Sequence, residues 1–179
     1  MDNFNELLTD IIALGAISLH IIIFSGIVFY FTGYKKQVIS IVGKWGIPTA
    51  FLFSLSAMLG SLYYSEIVKL EPCTLCWYQR IFSYPTVFIL GLALWKKKKD
   101  AIAYATVLSI IGWFFALYHV FIQFNTDIDS VLCPPNATVS CENIDFLAFG
   151  YVTMPVMSLT IFTAVILLLR LASKYEKEN

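Results

Sequence analysis

Two pairs of cysteines are the groups in this chain best suited to chemistry. Cys73 and Cys76 stand two residues apart in the stretch PCTLCWYQRIF, and Cys133 and Cys141 bound the stretch CPPNATVSC. An even number of cysteines gathered in two pairs points to disulfide chemistry, although four cysteines allow three connectivities. The CxxC spacing has other uses to weigh. A c-type haem site requires a histidine directly after the second cysteine, where this chain has Trp77. An all-thiolate zinc site favours close spacing in both pairs, but seven residues separate Cys133 from Cys141, and no metal is expected. A soluble thioredoxin-like motif sits in a βαβ setting, and no such pattern surrounds this one. Two passive staples that tie loops together remain open as a structural alternative.

Arg80 sharpens the question. Pro72 precedes the pair and an apolar run starts near Cys76, which predicts a helix holding Cys76 in its first turn, near the positive end of the dipole. That position favours the thiolate, the nucleophile of disulfide exchange. Arg80 lies four residues on and shares the face of Cys76, so its guanidinium is suited to stabilise a thiolate or a reduced, anionic ligand above it. The competing reading is an arginine that snorkels to a membrane interface.

The elements that must position these groups are set by composition. With 59% hydrophobic and 13% charged residues in 179, the chain is far too apolar for an ordinary soluble domain. A helix rising ~1.5 Å per residue needs about 20 apolar residues to cross a hydrocarbon core of about 30 Å. Five stretches qualify: residues 11–31, 47–64, 76–95, 101–124 and 151–169. The expected fold is an all-α integral membrane protein, a four-helix transmembrane bundle with one extra N-terminal transmembrane helix, forming a single domain over residues 1–179. The leader MDNFNELLTD is acidic where a secretory signal needs a basic segment, so the first span is read as retained. No internal repeat or long linker divides the chain.

Lys35, Lys36, Lys44, Lys96, Lys97, Lys98, Lys99, Arg170, Lys174 and Lys177 all fall on one side of these spans, the side that resists translocation. Asp2, Glu6, Asp10, Glu66, Glu71, Asp127, Asp129, Glu142 and Asp145 gather on the other. The N-terminus is therefore expected outside and the C-terminus in the cytoplasm. Both cysteine pairs then occupy outward loops, on the oxidising face. The surroundings expected are a lipid bilayer, and no nucleic-acid partner is expected.

The stretch Pro-Cys-x-x-Cys-x-Tyr-x-Arg, the later cysteine pair, and Thr153-Met154-Pro155 opening the last span together resemble the DsbB family of membrane thiol oxidases, especially its Gram-positive BdbC-type branch. The resemblance covers about residues 47–170. It implies a bundle in the bacterial cytoplasmic membrane that takes electrons from a soluble DsbA-like, thioredoxin-fold thiol oxidase and delivers them to quinone, ubiquinone or menaquinone. It further implies that Cys76 engages the quinone, that Arg80 supports its binding, that Cys133 forms the mixed disulfide with the partner, and that Cys141 exchanges with Cys73. His119 is similar in placement to a histidine near the quinone; a histidine satisfied at a membrane interface is the plainer reading. The aromatic residues Trp77, Tyr78, Phe82 and Tyr84 are candidates for the walls of a quinone site, against an ordinary interfacial belt. His20 is expected to face the bundle, since lipid exposure is unfavourable.

Two features depart from that family. The span over residues 11–31 is additional, and the segment between Cys133 and Cys141 is short, stiffened by Pro134 and Pro135, and expected to open readily by exchange. The NAT sequon at Asn136 is expected to stay unmodified in a bacterium. Two other functions compete: an epoxyquinone reductase of the vitamin K type, whose CxxC usually lies late in the chain, and a membrane scaffold with structural disulfides.

Overall fold

The computed structural model describes residues 2–96, 100–125, 132–133, 139–145 and 147–178. Lys97, Lys98, Lys99, Asp127, Asp129, Pro134, Pro135 and the Asn136 sequon lie outside the described residues. The elements are α1 (Asp2–Phe31), α2 (Lys35–Lys44), α3 (Gly46–Leu62) running on into a wide π-helical turn (Tyr63–Ile67), α4 (Thr74–Lys96), α5 (Ala101–Phe124) and α6 (Met154–Glu178).

Helices α3, α4, α5 and α6 close a four-helix ring, each packed on its neighbours, with α3 meeting α6. Spacing along α5 shows why. Ala105, Ser109, Gly112, Ala116, His119 and Gln123 are all buried and recur every three or four residues, a seam of mostly small side chains that lets helices approach closely in a membrane. At Gly112 even a Cβ would run into the Phe162 ring of α6. A second stripe, Ile39, Gly43, Gly46 and Ala50, continues from α2 into α3. A Cβ on Gly43 or Gly46 would meet the backbone of α6 at Leu171 or Leu168. The segment 32–46, expected as a loop, therefore contains a ten-residue helix that packs on α6.

Among the described residues, four helical stretches are long and apolar enough to cross a membrane: Leu7–Phe31, Gly46–Ile67, Ala101–Phe124 and Met154–Glu178. The expected span over residues 76–95 falls in α4, which at 23 residues is roughly 34 Å long and also sufficient in length. Its first half is polar, with Gln79, Arg80, Ser83, Tyr84 and Thr86, and it packs between α3 and α5. The chain is a multi-pass membrane protein with α1 added to the four-helix ring. Helix α1 rests on α6 and α2. Its Ala13 and Ala16 pack against Ala148 and Val152, which pair across a tight turn where Gly150 takes a φ of 79° that glycine adopts freely.

Candidate active site

The helix α4 starts one residue after Cys73, whose carbonyl accepts the first helical hydrogen bond, from Trp77 at 3.1 Å. Cys73 is thus the N-cap, and the Cys76 amide donates back to its sulfur at 3.4 Å. Cys76 sits in the first turn as expected, but its N–H serves the Cys73 sulfur, so the helix terminus supports a thiolate at Cys73. Both are free thiols, with Sγ atoms 2.9 Å apart. The Cys73 thiol is held well below the usual cysteine range, at about 4, chiefly through the hydrogen bond with Cys76, with His119 adding to the effect and burial opposing it.

His119 reaches Cys73 from α5. Its Nε2 lies 3.7 Å from Cys73 Sγ and 3.2 Å from the Cys141 carbonyl oxygen, while its Nδ1 is 3.0 Å from the Gln79 side-chain nitrogen. An amide nitrogen only donates, so Nδ1 accepts and the proton of the neutral imidazole sits on Nε2. That proton points at both the thiol and the second cysteine segment. Gln123, one turn along, donates to the Asn143 carbonyl at 3.1 Å and accepts from the Thr153 hydroxyl at 2.7 Å. Gln79, His119, Gln123 and Thr153, all buried, make a polar ladder that binds the residue 139–145 segment to the bundle.

Cys133 and Cys141 are joined as a disulfide. Cys73 and Cys141 are buried in one cluster with Leu75 and Ile122, and Cys76 and Cys133 pack against it. The two pairs, 57 residues apart at their nearest in the chain when Cys133 is counted from Cys76, therefore share one end of the bundle. Asp145 lies beside them; its carboxyl is raised above the usual range by burial first and by the charge of Cys73 second.

Arg80 is fixed rather than free. Its Nε donates to Ser61 Oγ at 2.8 Å and an Nη to the Ser61 carbonyl at 3.1 Å, with the guanidinium 5.2 Å above the Trp77 ring centre. Such satisfaction is what a charge within a span requires. Next to it opens a cavity of about 540 Å³ lined by Cys73, Cys76, Arg80, Tyr84 and His119 and by apolar groups of α1, α3 and α6. Cys76, Arg80, Ser83 and Tyr84 share this face of α4 at helical spacing. Of the four aromatic candidates, only Tyr84 lines it. Tyr78 and Phe82 sit on the other face and stack on Phe115 of α5 at 5.0 and 5.5 Å, and Trp77 is 55% exposed. His20 meets α6, with Nε2 2.6 Å from Thr160 Oγ1.

Sequence reasoning missed Gln79, Ser61, Gln123 and Asn143. The first and third carried a signal: each is an amide inside an apolar helix, Gln79 three residues after Cys76 and Gln123 four after His119. Cys73 Sγ, Cys76 Sγ and a His119 nitrogen lie within 4.8 Å of one another, a possible three-donor metal set built from one pair and a histidine. With its proton on Nε2, His119 acts here as a donor to sulfur and carbonyl instead.

A helical membrane bundle that gathers a disulfide and a dithiol at one end defines a membrane thiol–disulfide protein. The family described as "Disulfide bond formation protein DsbB" matches residues 44–172. The chain belongs to this family, and with it takes a disulfide-forming, oxidoreductase role. It is 42% identical over 132 residues to the SPbeta prophage-derived disulfide bond formation protein B of Bacillus subtilis, covering 72% of this chain and 88% of the relative. The probable disulfide formation protein C of Halalkalibacterium halodurans is 42% identical over 134 residues, 73% of this chain and 90% of the relative. The disulfide bond formation protein C of Bacillus subtilis is 34% identical over 144 residues, 80% and 99% of the two chains. No solved structure matches the chain.

Proposed function

We propose that this protein is a membrane thiol:quinone oxidoreductase that reoxidises a soluble DsbA-like, thioredoxin-fold oxidase and passes its electrons through two cysteine pairs to membrane quinone. The observation that carries the reading is the position of His119, in contact with Cys73, with the Cys141 backbone and with the cavity.

In the proposed relay a partner thiolate attacks the Cys133–Cys141 disulfide at Cys133. The mixed disulfide that forms is resolved by the second partner thiol, leaving the partner oxidised and Cys133 and Cys141 as thiols. Cys141 then attacks Cys73 of an oxidised Cys73–Cys76 pair, and Cys133 resolves that bond to restore the outer disulfide. The inner pair is left as a dithiol, the arrangement found here. The Cys76 amide and the His119 Nε2–H both stabilise negative charge on Cys73.

The cavity fits a quinone head: an apolar chamber with a few convergent polar groups, among them the Arg80 guanidinium, Ser61 and Tyr84. These residues and the small side chains opposite them would hold the ring, with Cys76 facing it. A bound quinone supplies a two-electron, two-proton acceptor that leaves as the hydroquinone while Cys73 and Cys76 return to a disulfide. The lysine-rich end of the bundle is read as cytoplasmic and the cysteine end as extracytoplasmic.

The test is quinone reduction by the purified protein with a reduced thioredoxin-fold oxidase, wild type against Cys76→Ser and Cys133→Ser. Turnover by wild type alone supports the relay. Absence of turnover with either quinone, while all four cysteines stay paired, favours structural staples.

A further inference from the structure

The family match starts at residue 44 and leaves α1 and nearly all of α2 outside it, of which α2 packs on α6 as part of the bundle. Relatives matched over 98% and 99% of their own length align with only 77% and 80% of this chain. Yet α1 does not simply lean on the outside of the bundle. Ile12, Gly15, Ala16, Ser18, Leu19 and Ile22 line the same cavity as Cys73, Cys76 and Arg80. The helix stands off from the ring there and is tied to it above and below. Asn5 accepts from the Tyr63 hydroxyl at 2.7 Å, and Thr9 meets the Tyr64 hydroxyl at 2.8 Å. His20 holds Thr160, and Lys174 donates to Tyr30 at 2.7 Å. Between these ties the residues turned to the cavity include the small Gly15, Ala16 and Ser18, while Leu14, Ile21 and Phe24 are 51 to 71% exposed.

Two glycines border that space, one on α1 and one on α3. A Cβ built on Gly15 of α1 or on Gly60 of α3 meets nothing within 4 Å, and both residues line the cavity. Elsewhere, where helices truly touch, as at Gly43, Gly46 and Gly112, a Cβ collides. Gly15 and Gly60 therefore keep a chamber open rather than let helices close.

Resting on the quinone reading above, we propose that α1 is a wall of the acceptor site, closing one side of the quinone pocket with protein and limiting the size of the ring it admits. The consequence is that filling the space from α1 weakens quinone binding as filling it from α3 does.

Gly15→Leu and Gly60→Leu test this, since neither meets an obstacle on folding. Gly26→Leu is the control: it lies on α1, also in open space, and does not line the cavity. The readout is equilibrium binding of decylbenzoquinone and dimethylnaphthoquinone, followed by quenching of tryptophan fluorescence, with the protein in detergent or nanodiscs. Both cavity variants are expected to bind about tenfold or more weakly, by overpacking, with a larger loss for the bulkier naphthoquinone, and Gly26→Leu to match wild type. If Gly60→Leu weakens binding and Gly15→Leu does not, or if Gly26→Leu weakens it as much as Gly15→Leu, the inference about α1 is overturned and the proposed function stands. If wild type neither binds nor reduces quinone, both fall.

Discussion

Gln79 donates its side-chain amide to His119 across 3.0 Å, between the second turn of α4 and the C-terminal part of α5. This single contact decides the tautomer of the imidazole and therefore which group faces Cys73. Replacing Gln79 by Leu removes the donor, frees the ring to turn, and leaves a buried polar atom unpaired. Exchange between the two cysteine pairs is expected to slow about tenfold, the effect of one such hydrogen bond, and Gln79→Leu in a His119→Ala background is expected to add little. Stopped-flow measurement of thiol exchange checks this. Full additivity of the two substitutions would show that Gln79 does not act through His119.

The depressed Cys73 thiol makes a prediction about pH. An ordinary cysteine titrates near pH 8.5, whereas Cys73 is held at about 4. Alkylation of the reduced chain at Cys73 by a small neutral reagent should therefore stay near its maximum from about pH 8 to about pH 5 and decline only below that. The sign for stability is the same as for a carboxylate with a lowered value. The contribution is complete above the unfolded thiol's titration and is lost as pH falls through that of the folded one. Removing the largest cause with Cys76→Ala should move the inflection upward. An inflection near 8.5 in the wild type would sink the assignment of Cys73 as the resting thiolate.

Arg80 is held by a fork on Ser61 and by the Trp77 ring, geometry that a lysine does not reproduce. Arg80→Lys keeps the charge but is expected to raise the quinone KM about tenfold, with Ser61→Ala giving a smaller effect in the same direction. Steady-state kinetics with a fixed concentration of reduced partner separates KM from kcat. A lysine variant with unchanged KM would mean that charge alone matters at this site.

Two substitutions on one face of α5 should act in opposite directions. The Ser109 hydroxyl is buried without a hydrogen-bond partner among the described residues, so Ser109→Ala is expected to stabilise the bundle by about 1 kcal/mol. Gly112→Ala forces a methyl into the Phe162 ring and should destabilise it by about 1–3 kcal/mol. Thermal unfolding in detergent reads both, and a stabilised Gly112→Ala would show that the α5–α6 contact is looser than described.

The sequence alone determined the class of the protein and where its cysteines fall. Long apolar runs leave no other solvent than a bilayer, the basic residues mark one end of the bundle, and the CxxC with Arg80 one turn on is a local pattern that helical periodicity makes readable. The extra first helix was equally legible from its length and composition. The tertiary structure decided the rest. Which thiol receives the helix amides depends on where α4 begins, and a shift of two residues moved that role from Cys76 to Cys73. Whether Tyr78 or Tyr84 faces the chamber depends on which neighbour each side of α4 packs against. The convergence of Gln79, His119 and Cys141 joins three segments far apart in the chain, and the cavity is bordered by residues of α1, α3, α4, α5 and α6 together. Contacts of that kind arise from packing across helices, and no periodicity within one helix encodes them.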